Sequence, residues 1–198
     1  MRNKLALGTV LGVMGALVLP GSSGAQTPTQ DSVTGTGGTA SYTSFAFNVV
    51  SGPSGENPSG SSRLDLPSFG LHTQSRAIVC LSVSGNTATW VTELLPNSFG
   101  FMFGKLTVVD HSTAGSGLDT YAAAGYFTPQ DCSSPESGAL GTEPLLTGDI
   151  VVVDAPPLPT SQDQCKDGGW QVYGIFTTQG DCVSFVSTGG KNPPAGIP

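Results

Sequence analysis

The stretch AIVCLSVSGNTATWVTEL, residues 77–94, decides how the rest of the chain is read. Ala77 to Val83 is a short apolar run containing Cys80. Ser84-Gly85-Asn86 is a turn signal, and Thr87 to Leu94 returns with β-branched residues around Trp90. Such side chains suit a pleated, half-buried surface, and Gly-Asn tolerates the positive backbone angles of a tight hairpin. The stretch therefore predicts two antiparallel strands, with Trp90 in the core.

The same reading extends in both directions. Phe45, Phe47 and Val49 alternate with Ser44, Ala46 and Asn48, a period of two. Residues 51–60, SGPSGENPSG, form a turn-rich loop, and Arg63 to Leu66 is a short strand. Phe99, Phe101 and Phe103 alternate with Gly100, Met102 and Gly104, and the run continues to Val109 as one expected strand. Thr120 to Phe127 and Gly148 to Asp154 are two more. Strands at this spacing predict one all-β domain over residues 41–155, a barrel or sandwich of about seven to eight antiparallel strands. Residues 26–40, rich in Gly and Thr, read as a flexible lead-in.

After Asp154 the chain changes character. Pro156, Pro157 and Pro159 stiffen a connector. Ser161 to Lys166 reads as one helical turn, stopped by Gly168-Gly169. Thr178 caps a helix over Gln179 to Ser187, and Gly189-Gly190 ends it. Residues 156–198 are thus a short, partly helical, cysteine-containing appendage.

Residues 1–25 have the three-part layout of a secretory signal peptide. Arg2 and Lys4 precede an uncharged apolar run from Leu5 to Leu19, and Ser23-Gly24-Ala25 supplies small residues for cleavage. The run is short for a membrane span. The expectation is a soluble, secreted, extracellular protein with no membrane attachment after cleavage. In that compartment the four cysteines, Cys80, Cys132, Cys165 and Cys182, favour disulfides over a zinc site, and no Cys-x-x-Cys pair is present. Of the three pairings, Cys80–Cys132 with Cys165–Cys182 is preferred, because the second pair lies in one compact terminal unit.

The chain is acidic, with seven basic residues against fourteen acidic and a formal net charge of −7. Loss of Arg2 and Lys4 with the leader takes this to −9. Without a Lys/Arg cluster there is no footprint for a phosphate backbone, so nucleic acid is not an expected partner.

No catalytic set stands out. His72 and His111 are the only histidines, Asp110 precedes His111 directly, and no Gly-x-Ser-x-Gly elbow occurs. Glu93, Asp110, Asp119 and Asp154 lie near strand ends, where paired carboxylates would serve a hydrolase if they converged. The loop from Asp110 to Asp119 carries carboxylates, hydroxyls and glycines, an oxygen-rich composition that suits Ca²⁺, though its spacing matches no EF-hand. Trp170 and Tyr173 follow two glycines in the terminal cysteine loop and are the candidate ligand-binding aromatics. The expected function is contact with a neutral glycan, other neutral extracellular ligand or protein partner. An extracellular hydrolase and a structural surface or matrix component are the alternatives.

DQCKDGGWQVYGIFTTQGDCVSFVSTGGKNPP, residues 163–194, resembles a tail found on many exported bacterial proteins of uncharacterised function. There it commonly follows a β-rich region similar to that around AIVCLSVSGN and GDIVVVDA in this chain. The resemblance implies secretion, one β domain and a terminal cysteine pair. It implies no activity and no catalytic residue.

Overall fold

The computed structural model describes residues 29–42, 44–111, 117–192 and 194–195; the expected leader lies outside them. Nine strands follow in chain order: β1 (Asp31–Gly38), β2 (Ser44–Ser51), β3 (Ser59–Leu66), β4 (Leu71–Ser84), β5 (Thr87–Leu94), β6 (Phe103–Val109), β7 (Thr120–Tyr126), β8 (Glu143–Pro144) and β9 (Thr147–Val153). They form one sheet in the order β8-β7-β6-β5-β4-β3-β2-β1-β9. Every neighbouring pair is antiparallel.

The sheet curls into a half-barrel, and β4 is where it bends. Residues 71–74 of this strand pair with β3, whereas residues 75–84 pair with β5. Two register irregularities, between Ser75 and Ala77 and between Ile78 and Cys80, interrupt the second ladder. Bulges of this kind add local twist to a strand and turn it away from a flat sheet. The hairpin read from residues 77–94 is present, turning on Gly85 at φ 59°.

Inside the curl, apolar residues from every second position meet. Val33, Val49, Trp90, Val108, Tyr121 and Ile150 are fully buried. The Phe45 ring stacks on Tyr121 at 4.2 Å between centroids, and Phe47 lies 4.7 Å from Trp90. Buried aromatics supply the largest apolar areas available to a small core, so this layer dominates its stability.

Three features differ from the sequence expectation. Residues 31–38 are not a flexible lead-in but β1, an interior strand between β2 and β9. Its glycines leave space for rings: a Cβ on Gly35 would lie 2.6 Å from Cζ of Phe47. Glycine was read as loop; here the missing side chain is a packing requirement. With two-residue β8, β1 brings the strand count to nine, close to the seven to eight expected. Thirdly, the expected strand from Phe99 begins only at Phe103. Oδ1 of Asn97 accepts from the amides of Phe99 and Phe101, both at 3.2 Å, and Gly100 at φ 73° closes the turn.

The C-terminal unit has its own small core. Cys165, Ile175, Phe176 and Cys182 form its centre, with no member in common with the half-barrel cluster. Helix α1 (Gln179–Ser187) is capped by Thr178, whose hydroxyl accepts from the Asp181 amide at 3.1 Å. The disulfides are Cys80–Cys132 and Cys165–Cys182.

Candidate functional site

The two ends of the half-barrel differ in how their interior positions are filled. In the register of β5, β6 and β7, Trp90 lies opposite Leu106 and Leu106 opposite Ala123. Two residues further toward one end, Thr92 lies opposite Gly104 and Gly104 opposite Gly125. Inward residues at this second level are too small to meet across the curl. The result is an apolar cavity of about 200 Å³, open to solvent.

Loops build its mouth. Phe69, Phe99 and Leu140 line it and are exposed, so apolar side chains surround the opening. Phe101 forms a wall: its ring stacks with Phe99 at 5.8 Å and meets Phe127 at 5.3 Å. A Cβ on Gly125 would run into the Phe101 ring, so the glycine lets that ring lie against β7.

The opposite wall is carried by residues 127–142, which the Cys80–Cys132 disulfide pins to β4. The Ala139 amide donates to the Ala123 carbonyl at 3.0 Å, bringing Ala139 and Leu140 to the cavity. Glu136 anchors the same segment. Its carboxylate accepts from the Tyr126 hydroxyl and from the Gly138 amide at 2.8 Å. The bond to Glu136 pushes the Tyr126 hydroxyl up to about 12.

The polar groups around the cavity are mostly engaged. Tyr42 donates its hydroxyl to the Ala123 carbonyl at 2.9 Å, and Thr92 donates to the Ala77 carbonyl at 3.0 Å. Thr73 points its hydroxyl at the Leu64 carbonyl, 3.5 Å away. Among the described residues no carboxylate, histidine, lysine or arginine lines the space.

Carboxylates gather instead at the other end. Asp119 accepts from the His111 amide at 2.9 Å and from the buried Ile150 amide at 3.0 Å. Asp110 accepts from the Val152 amide at 3.1 Å. The two residues thereby tie β9, an edge strand, to the ends of β6 and β7. Asp154 accepts from the Gly85 amide at 2.6 Å. Asp31, itself buried, accepts from the Ala155 amide at 2.9 Å. Burial, reinforced by the negative Asp154 and Glu56, pushes the Asp31 carboxyl up to about 6.

Four strand-end acids were expected to serve a hydrolase if they converged. Asp110, Asp119 and Asp154 lie at the closed end, each accepting a backbone amide. Glu93 pairs with Arg76 at 3.6 Å on the outer wall. None of the four lines the cavity. Asp110 and Asp119, the residues proposed for Ca²⁺, flank residues 112–116, which lie outside the described residues. Among the described residues no group of three or more His, Cys, Asp or Glu side chains is placed to hold a metal ion. His72 pairs with Asp65 at 2.9 Å, an exposed contact that holds the Asp65 carboxyl below its usual range.

Trp170 and Tyr173, the expected ligand-binding aromatics, are half-buried and pack on the Cys165–Cys182 cluster. Tyr173 meets Phe176 edge-on at 5.8 Å. The cavity-lining residues are not legible as a site in the sequence, because they come from six separate segments. The one local signal was the alternation of Phe and Gly over residues 99–104, which was read as a strand.

Among the described residues no helix is long and apolar enough to cross a membrane. No protein-family model, curated protein or solved structure matches the chain.

Proposed function

We propose that the protein is an exported, non-enzymatic module that binds a neutral, apolar small molecule in the open end of its half-barrel. The observation that carries this reading is the unfilled apolar cavity behind an exposed rim of Phe69, Phe99 and Leu140. Convergent apolar walls with few polar groups are the usual form of a small-molecule site. Binding there removes apolar surface from water on both partners, worth about 25 cal/mol per Å². Export is supported by the leader-like residues 1–25, by the resemblance of residues 163–194 to the tails of exported proteins and by two disulfides, which persist in oxidising compartments. The net negative charge and the absence of a cation at the cavity favour a neutral ligand over an anionic one.

The test is thermal unfolding with a panel of neutral apolar compounds, toluene among them. A ligand that binds only the folded state raises Tm with concentration. In Gly104→Leu the new side chain grows into the cavity, since a Cβ there already lies 3.3 Å from Thr92 Cγ2 and 3.6 Å from Leu94 Cδ2. The expected outcome is a concentration-dependent rise in Tm for the wild type that Gly104→Leu abolishes. No shift with any compound, or an equal shift in the variant, overturns the proposal.

A further inference from the structure

The cavity also carries information about the chemical class of its ligand, and this inference rests on the binding function just proposed. Two observations narrow the class. The first is size. A cavity of roughly 150 Å³ lined by Leu, Ile and Phe accepts benzene, and the space here is about 200 Å³. One ring with one or two further heavy atoms fills it. A fused two-ring system or a long alkyl chain would protrude past Phe69 and Phe99 into water. The stacked Phe99 and Phe101 rings offer a flat wall, which favours a planar ligand over a branched aliphatic one.

The second observation is Ser62. It lies on the inward face of β3 with Leu64 and Leu66, is 5 % exposed and lines the cavity. Its backbone amide donates to Ser75 Oγ at 2.9 Å, and among the described residues its own hydroxyl has no hydrogen-bond partner. The hydroxyls of Tyr42, Thr73 and Thr92 are all directed to backbone carbonyls. A hydroxyl on the wall of an open cavity, with donor and acceptor capacity free, is available to a polar group of a ligand. Among the described lining residues, Ser62 is therefore the hydroxyl whose donor is not already committed to a backbone carbonyl.

We propose that the ligand is a single-ring aromatic compound bearing one hydrogen-bonding oxygen, such as a phenol. The ring lies against Phe101 and the oxygen meets Ser62. Ser62 is a specificity residue in this assignment, acting on which ring is chosen and not on whether rings are bound.

The experiment measures dissociation constants of p-cresol, toluene, 2-naphthol and 1-decanol by calorimetry on the full mature chain, and repeats p-cresol and toluene on Ser62→Ala. The expected order places p-cresol first, with 2-naphthol and 1-decanol at least tenfold weaker. In Ser62→Ala the preference for p-cresol over toluene falls about five- to tenfold, the value of one hydrogen bond. Tightest binding by 2-naphthol or 1-decanol overturns the single-ring class while leaving the apolar site standing. An unchanged p-cresol preference in Ser62→Ala overturns the role of Ser62. Absence of binding by all four compounds removes both this inference and the function on which it rests.

Discussion

The two ends of the half-barrel solve opposite problems with opposite chemistry. At the closed end, Asp110 and Asp119 present carboxylates to the amides of Val152 and Ile150 on β9. An edge strand leaves such amides unpaired, which invites association with other chains. Here side chains substitute for the missing strand. At the open end the interior is lined by Gly104, Gly125, Ala123 and Ser62, and nothing fills the space between them. The lesson is that a curled sheet need not treat its ends alike: polar groups close one end, and deliberate smallness leaves the other able to receive a guest.

The comparison breaks most sharply at the Cys80–Cys132 disulfide, which serves the open end. The bridge spans 52 residues, so its loss releases about 4 kcal/mol of constraint on the unfolded chain. The double variant Cys80→Ala/Cys132→Ala should retain the sheet by circular dichroism but unfold at much lower urea. Its affinity for toluene should fall as well, because Ala139 and Leu140 are no longer pinned. Unaltered affinity in this variant would mean that residues 127–142 do not shape the mouth.

Asp119→Ala tests the closed end. It leaves two backbone amides without their acceptor, one of them buried, at a cost of about 2–3 kcal/mol in urea unfolding. Toluene affinity should be unchanged, since Asp119 lies away from the cavity. A stability loss below about 0.5 kcal/mol would show that β9 is held by its pairing with β1 and by Asp110, with little from Asp119.

The smallest effect concerns pH. Asp31 in the folded protein holds its proton up to about pH 6, above its ordinary value of 3.8. The contribution of this group is therefore fully present below pH 3.8 and is lost as pH rises through about 6. Raising pH from 4.5 to 7.5 should cost on the order of 1–2 kcal/mol, and Asp31→Asn should flatten that slope. Asp65 and Glu143, held below their ordinary range by hydrogen bonds from His72 and from Ser41 and Thr39, act in the opposite direction and only at lower pH. An identical pH profile in Asp31→Asn would assign the slope to other groups.

Much of the fold was legible. The hairpin of residues 77–94, the buried Trp90, the Thr178-capped helix and the cysteine pairing all follow from local rules: alternation, turn chemistry, capping and proximity along the chain. β1 was not legible, because its glycines look like a loop until Phe45 and Phe47 are placed beside them. The turn at Asn97 was hidden for a related reason, since alternating Phe and Gly satisfies a strand pattern that a side-chain hydrogen bond then overrides.

The sequence by itself determined that this chain builds one antiparallel β domain with a cysteine-closed terminal unit, since period-two burial and turn residues act between near neighbours. Only the tertiary structure decided where the cavity lies. Ser62, Gly104, Gly125 and Leu140 share no local pattern, and a void is a property of what fails to meet across a curled sheet. Tertiary structure likewise decided that Asp110, Asp119 and Asp154 hold backbone amides, because the partner of a carboxylate is set by which strand edge arrives beside it.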